Sequence, residues 1–122
     1  EDTKAYLAFM TGFFSGVDAN DLLGMLNTWQ NGDIGQHEMF GGDTNAALAN
    51  IKCPALVMPS ATDLSFPARN NIPEVAAMPN AELVVIPSKR GHFAGSMAPA
   101  LAAAETVAFT DNAIKNLLKR IS

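Results

Sequence analysis

Two short apolar runs, "CPALVMPS" at residues 53–60 and "AELVVIPS" at residues 81–88, constrain this chain more than any other feature. Both are rich in Leu, Val and Ile and both are bounded by proline, the pattern of strands buried on two faces. The stretch between them, "FPARNNIPEVAAMPNA", is helix-like. Pro67 is acceptable there as a first helical residue, whereas Pro73 is expected to kink the helix or start a second piece. Strand, helix, strand implies a right-handed parallel crossover and an α/β architecture.

Helical periodicity accounts for most of the remaining sequence. Tyr6, Phe9, Met10, Phe13 and Phe14 recur at helical spacing before "SGVD" ends the segment. A second helix is predicted from Asp18 or Ala19, with Asp18 as its cap and Leu22, Leu23, Leu26 and Trp29 on one face; "QNGDIG" then turns the chain. Residues 36–43 read as a loop and residues 44–51 as a short helix. A last helix is predicted over residues 99–121, with Val107, Ile114, Leu117, Leu118 and Ile121 in one stripe.

At 122 residues the chain is one domain long, and 48% hydrophobic against 16% charged residues is the composition of a packed chain rather than a disordered one. A net charge of −4 with no basic run beyond the Lys89-Arg90 and Lys119-Arg120 pairs argues against nucleic acid or an anionic membrane as partner. The single cysteine, Cys53, excludes an intrachain disulfide and a Cys-based zinc framework, and it reads as a small buried residue. There is neither a membrane-length apolar run nor a basic-then-apolar leader, so a cytoplasmic setting is expected. Starting at Glu1 rather than Met, the chain is expected to be a cut or incomplete product.

Two residues carry chemistry. Asp63 follows the first predicted strand in "PSATDLSFP", and His92 follows the second in "KRGHFAG". Loops leaving the carboxyl ends of neighbouring parallel strands converge on one crevice, so the two side chains are expected to meet. A carboxylate bonded to one imidazole nitrogen fixes the tautomer and leaves the other nitrogen free to act as a base. Gly91 suits a tight turn there. Each residue also has a plainer reading: Asp63 as a loop acid capping the turn before Pro67, His92 as an exposed loop histidine.

From Asp18 to Leu118 the sequence resembles the carboxyl-terminal part of the α/β-hydrolase superfamily, in particular its homoserine O-acetyltransferase-like branch. The resemblance is carried by "DANDLLGMLNTWQNGDIG", "ALANIKCPALVMPSATDLSFP" and "MPNAELVVIPSKRGHFAG". It implies a helical cap-like region over residues 1–46. Over residues 47–122 it implies the closing part of an α/β-hydrolase fold, in which Asp63 and His92 stand where the catalytic triad's acid and histidine stand. The order acid then histidine matches the superfamily's Ser, Asp, His order. The activity implied is acyl transfer from acyl-CoA to an alcohol, with acyl-CoA as co-substrate of the intact enzyme and no resident cofactor. Transferases of this branch tend to carry an Asp after the histidine, in a "GHDAFL"-like run, where this chain has Phe93 and Ala94. That departure puts homoserine in doubt as acceptor and keeps a hydrolase of small esters as the alternative.

The superfamily's nucleophile sits in a G-x-S-x-G turn, which this sequence lacks. Ser15 in "GFFSGV" is one place out of register with no strand before it, and Ser96 follows the histidine. On this reading the chain is inactive alone and needs a nucleophile-bearing partner. A non-catalytic remnant that self-associates through exposed strands, or a ligand-binding module, are the competing expectations. His37 reads as a surface residue and Asp33 as a solvated turn acid. Trp29, Met25 and the Phe-rich first helix read as core rather than as an acyl pocket. A metal site built from Asp63, His92 and His37 finds no support in ligand spacing.

Overall fold

The computed structural model describes residues 2–95 and 103–121. The chain divides into two compact units, Glu1–Asp33 and Ile34–Ser122. In the first, helix α1 spans Thr3–Phe14 and helix α2 spans Ala19–Asn31. Each starts where an aspartate satisfies an orphan backbone donor: Asp2 accepts from the Lys4 N–H at 3.0 Å and Asp18 from the Asn20 N–H at 2.7 Å. Gly32 ends α2 with its N–H on the Trp29 carbonyl.

No residue of α1 or α2 is buried, which overturns the expectation of a core there. Trp29 is 65% exposed and Met25 68%. Two helices make no second layer to cover an apolar stripe, so the aromatic residues stack chiefly on each other, Phe9 on Phe13 at 6.1 Å and Phe13 on Phe14 at 5.0 Å.

The second unit opens with a 3₁₀ turn over Ile34–Gln36 and helix α3 over Thr44–Ala49, capped by Asp43 through the Ala46 N–H at 2.9 Å. Gly35 is buried in that turn because the backbone of Asp43 and Thr44 passes directly over it. A Cβ at position 35 would lie 2.6 Å from the Thr44 nitrogen and 2.9 Å from the Asp43 carbonyl carbon. Backbone cannot swing aside as a side chain can. Gly35→Ala is therefore expected to destabilise the second unit by about 1–3 kcal/mol, measured as a lowered midpoint in urea with an unchanged slope.

Strand β1 (Ala55–Val57) and strand β2 (Ala81–Leu83) pair in parallel, Ala55 with Ala81, Leu56 with Glu82 and Val57 with Leu83. Helix α4 (Ala68–Ala77) connects them and packs on β2 and α3. Pairing continues past the strands to a bridge between Ser60 and Ile86. There Pro59 accepts from the Ile86 N–H at 2.8 Å but has no N–H of its own to donate, which is why regular strand stops short of the site. Pro67 is the cap of α4 rather than its first residue, and Pro73 lies inside α4 without splitting it.

The terminal helix α5 spans Ala104–Ile121; the part predicted to begin at Pro99 lies outside the described residues. The expectation of strands buried on both faces is not met. All three residues of β1 are half-buried, and Glu82 in β2 is exposed, where it holds Arg120 of α5 at 2.6 Å. Two strands form too narrow a layer to be enclosed on both sides. The stripe predicted on α5 also divides: Val107 and Leu117 are half-buried, whereas Ile114, Leu118 and Ile121 are about half exposed. Burial on this helix instead follows Ala103 and Thr106; elsewhere Ala47 is buried in α3, while Ser60, Ile86 and Ala94 come from the segments leaving the carboxyl ends of the strands. The best-enclosed part of the unit is thus where the two loops depart. Among the described residues no helix is long and apolar enough to cross a membrane.

Candidate active site

Asp63 closes a turn at the end of the first loop, its N–H on the Ser60 carbonyl at 3.3 Å. One carboxylate oxygen, Oδ1, accepts from the backbone N–H groups of Ser65 at 2.8 Å and Phe66 at 3.0 Å. The other, Oδ2, lies 3.0 Å from Nδ1 of His92. The two readings of Asp63 therefore coexist: it caps a turn with one oxygen and faces a histidine with the other. That turn anchors the carboxylate through its own loop, independently of the imidazole.

His92 sits in a 3₁₀ turn over Gly91–Phe93. Gly91 enters this turn with φ +55°, a conformation in which an L side chain is strained, and a Cβ there would also press to 3.4 Å of the Thr62 carbonyl oxygen. The Phe66 ring leans on the imidazole with centroids 5.3 Å apart, and Phe93 sits edge-on to it at 6.1 Å. Asp63's side chain is only 8% exposed while His92's is 55% exposed, so the acid is sheltered and the base is presented. With a carboxylate accepting at Nδ1, that nitrogen carries the proton and Nε2 is left available.

The Phe66 N–H above all holds the Asp63 carboxyl below the ordinary carboxylate range; His92 and the Ser65 N–H act in the same sense and partial desolvation opposes them. A depressed folded-state value means that the charged form stabilises the fold. This contribution is fully present above the unfolded value of about 4 and is lost as pH falls through the lowered folded value. Carbon-detected NMR of the Asp63 carboxyl should accordingly show a titration midpoint below that of the unfolded chain. A midpoint at or above it would contradict the hydrogen-bond pattern.

A shallow cavity of about 330 Å³ borders the pair, lined in part by Pro59, Ser60, Phe66 and Asn71. A larger cleft of about 730 Å³ lies on α2 between Asn20 and Trp29, but among the described residues Asp21 is its sole titratable lining residue and it offers no acid–base pair.

Of the residues considered from sequence, the fold brings together Asp63 and His92. His37 stays apart, exposed, its Nδ1 accepting from the Met39 N–H at 3.2 Å. Ser15 is exposed and bonded to the Gly12 carbonyl beyond the end of α1; Ser96 lies outside the described residues. Cys53 is exposed rather than buried, since it precedes β1 on the surface and not within it. Among the described residues no three His, Cys, Asp or Glu side chains group as a metal site would require. Sequence reasoning missed Phe66 and Thr62, whose only signal was adjacency to Asp63.

No protein-family model matches the chain, and no solved structure matches it. Two curated relatives do. A Corynebacterium glutamicum protein named "Probable esterase" is 40% identical over 93 residues, covering 75% of this chain and 26% of the relative. An ethyl acetate hydrolase from Pseudomonas veronii is 38% identical over 84 residues, covering 69% of this chain and 24% of the relative. The chain thus spans about a quarter of the length of the curated relatives it matches. Both names speak of ester hydrolysis, and neither points to the homoserine O-acetyltransferase branch. The observed helices, parallel strand pair and terminal helix are consistent with part of an α/β-hydrolase fold.

Proposed function

We propose that this segment supplies the acid and the histidine of a serine-dependent ester hydrolase of the α/β-hydrolase type. The observation that carries the reading is the 3.0 Å contact between the sheltered Asp63 carboxylate and Nδ1 of the exposed His92. The names of the two relatives favour hydrolysis over acyl transfer.

In the intact enzyme a serine from sequence beyond these 122 residues attacks the ester carbonyl while Nε2 of His92 takes its proton. His92 returns that proton to the departing alcohol, leaving an acyl-serine. Water then attacks the acyl-serine, again giving its proton to Nε2; the carboxylic acid is released and the serine recovers the proton. Asp63 keeps Nδ1–H aimed away from the serine and stabilises the transient imidazolium. The segment acts as a relay and requires a nucleophile, whether on the same chain or on a second one.

The test is hydrolysis of a small ester such as ethyl acetate, together with labelling by a serine-directed phosphonate, on the isolated segment and on a longer protein that joins it to a nucleophile-bearing part. We expect both signals from the longer protein and neither from the segment. A longer protein that neither labels nor hydrolyses would overturn the reading. Preference for an acyl-CoA donor with an alcohol acceptor over water would return it to acyl transfer.

A further inference from the structure

Beyond the bridge at Ser60 and Ile86 the two backbones separate, yet His92 must be delivered to Asp63 from the far loop. The last rung of backbone pairing is the Ala61 N–H on the Ile86 carbonyl at 3.0 Å. One residue further, the side chain of Thr62 takes over. Its Oγ1–H donates to the Ser88 carbonyl at 2.9 Å, and the same oxygen accepts from the Gly91 N–H at 3.1 Å. One hydroxyl thus grips both the start of the histidine loop and the residue next to His92. It grips that turn at Gly91, where the left-handed backbone aims the N–H across the gap.

We infer that Thr62 is a positioning residue for the acid–histidine pair: its hydroxyl replaces the missing ladder rung and sets the His92 turn at bonding distance from Asp63. The inference rests on the proposed role of that pair in ester hydrolysis, but the clasp is testable without any turnover. A hydroxyl is needed because the position must donate and accept at once, which no apolar isostere does. The adjacent Asp63 stays anchored by Ser65 and Phe66 on its own loop, so removing the hydroxyl should free the histidine side alone.

The experiment is nitrogen-15 NMR of the 122-residue chain as wild type, Thr62→Val and Thr62→Ser, reading the His92 tautomer and the exchange rates of the Gly91, Ala61 and Ile86 amides. In the wild type, His92 should carry its proton on Nδ1. Thr62→Val should raise Gly91 exchange by about fivefold to tenfold and shift His92 toward the Nε2–H tautomer, with Ala61 and Ile86 exchange unchanged. Thr62→Ser should stay close to wild type in all of these. Wild-type tautomer and Gly91 protection in Thr62→Val would overturn the inference. Should Thr62→Val also lose protection at Ala61 and Ile86, Thr62→Ala removes the same two bonds with less bulk. The same loss in that variant would equally overturn it, because the hydroxyl would then be serving the sheet rather than the turn. If the clasp is confirmed by NMR while the longer protein proves inactive on esters, the proposed function fails and the clasp stands.

Discussion

Replacing His92 by alanine in the longer protein is expected to lower ester hydrolysis by about four to six orders of magnitude. The size follows from the double duty that the proposed mechanism gives Nε2, taking the nucleophile's proton and then passing it to the leaving alcohol; without it, both steps would lose their proton carrier. The fold should survive, because the side chain is 55% exposed and its partner Asp63 keeps two backbone donors of its own. Matched thermal melts of the variant and the parent would check that point alongside the rate. Hydrolysis within about tenfold of the parent would mean that another group carries the proton, and the triad reading would fall.

Asp63→Asn is expected to lower the rate by about four orders of magnitude without displacing the loop. An amide can still present an oxygen to the Ser65 and Phe66 N–H groups, so the turn is retained. What changes is the face toward His92. If the amide NH₂ points at Nδ1, it donates where the carboxylate accepted, and the imidazole proton is pushed to Nε2, the nitrogen that must be free. The imidazolium formed during turnover also loses its counter-charge. The diagnostic is the pattern: a collapse in kcat with little change in KM, accompanied by the Nε2–H tautomer in NMR. A comparable fall in Asp63→Glu would point instead to geometry alone.

These two residues were legible in the sequence because each follows a recognisable apolar run, and parallel strands deliver the loops at their carboxyl ends to one place. Asp18 was readable as a cap for a more local reason, since an N-cap bonds within its own first turn; Asp2 and Asp43 cap α1 and α3 in the same way without having been singled out. Gly91 was readable too, as the residue that makes a left-handed entry to the histidine turn inexpensive.

Burial was not readable in this way. Periodicity reports that a helix has an apolar stripe, but it does not say whether anything covers that stripe. The aromatic residues of α1 and α2 and the outer edge of α5 looked like core in one dimension, yet they stand exposed in their own units. The extent of the strands was likewise a matter of pairing, cut short where Pro59 lacks a donor, and Cys53 fell outside the paired segment.

The order of helices and strands, the parallel crossover and the pairing of one acid with one histidine all follow from local patterning and chain direction. How that pair is held depends on contacts between distant parts of the chain. The Phe66 ring on the imidazole, the two backbone donors on Asp63 and the Thr62 hydroxyl spanning the gap between loops depend on atoms meeting across space at about 3–5 Å. Such contacts are set by where two divergent backbones come to lie, a quantity that no spacing along a single chain records.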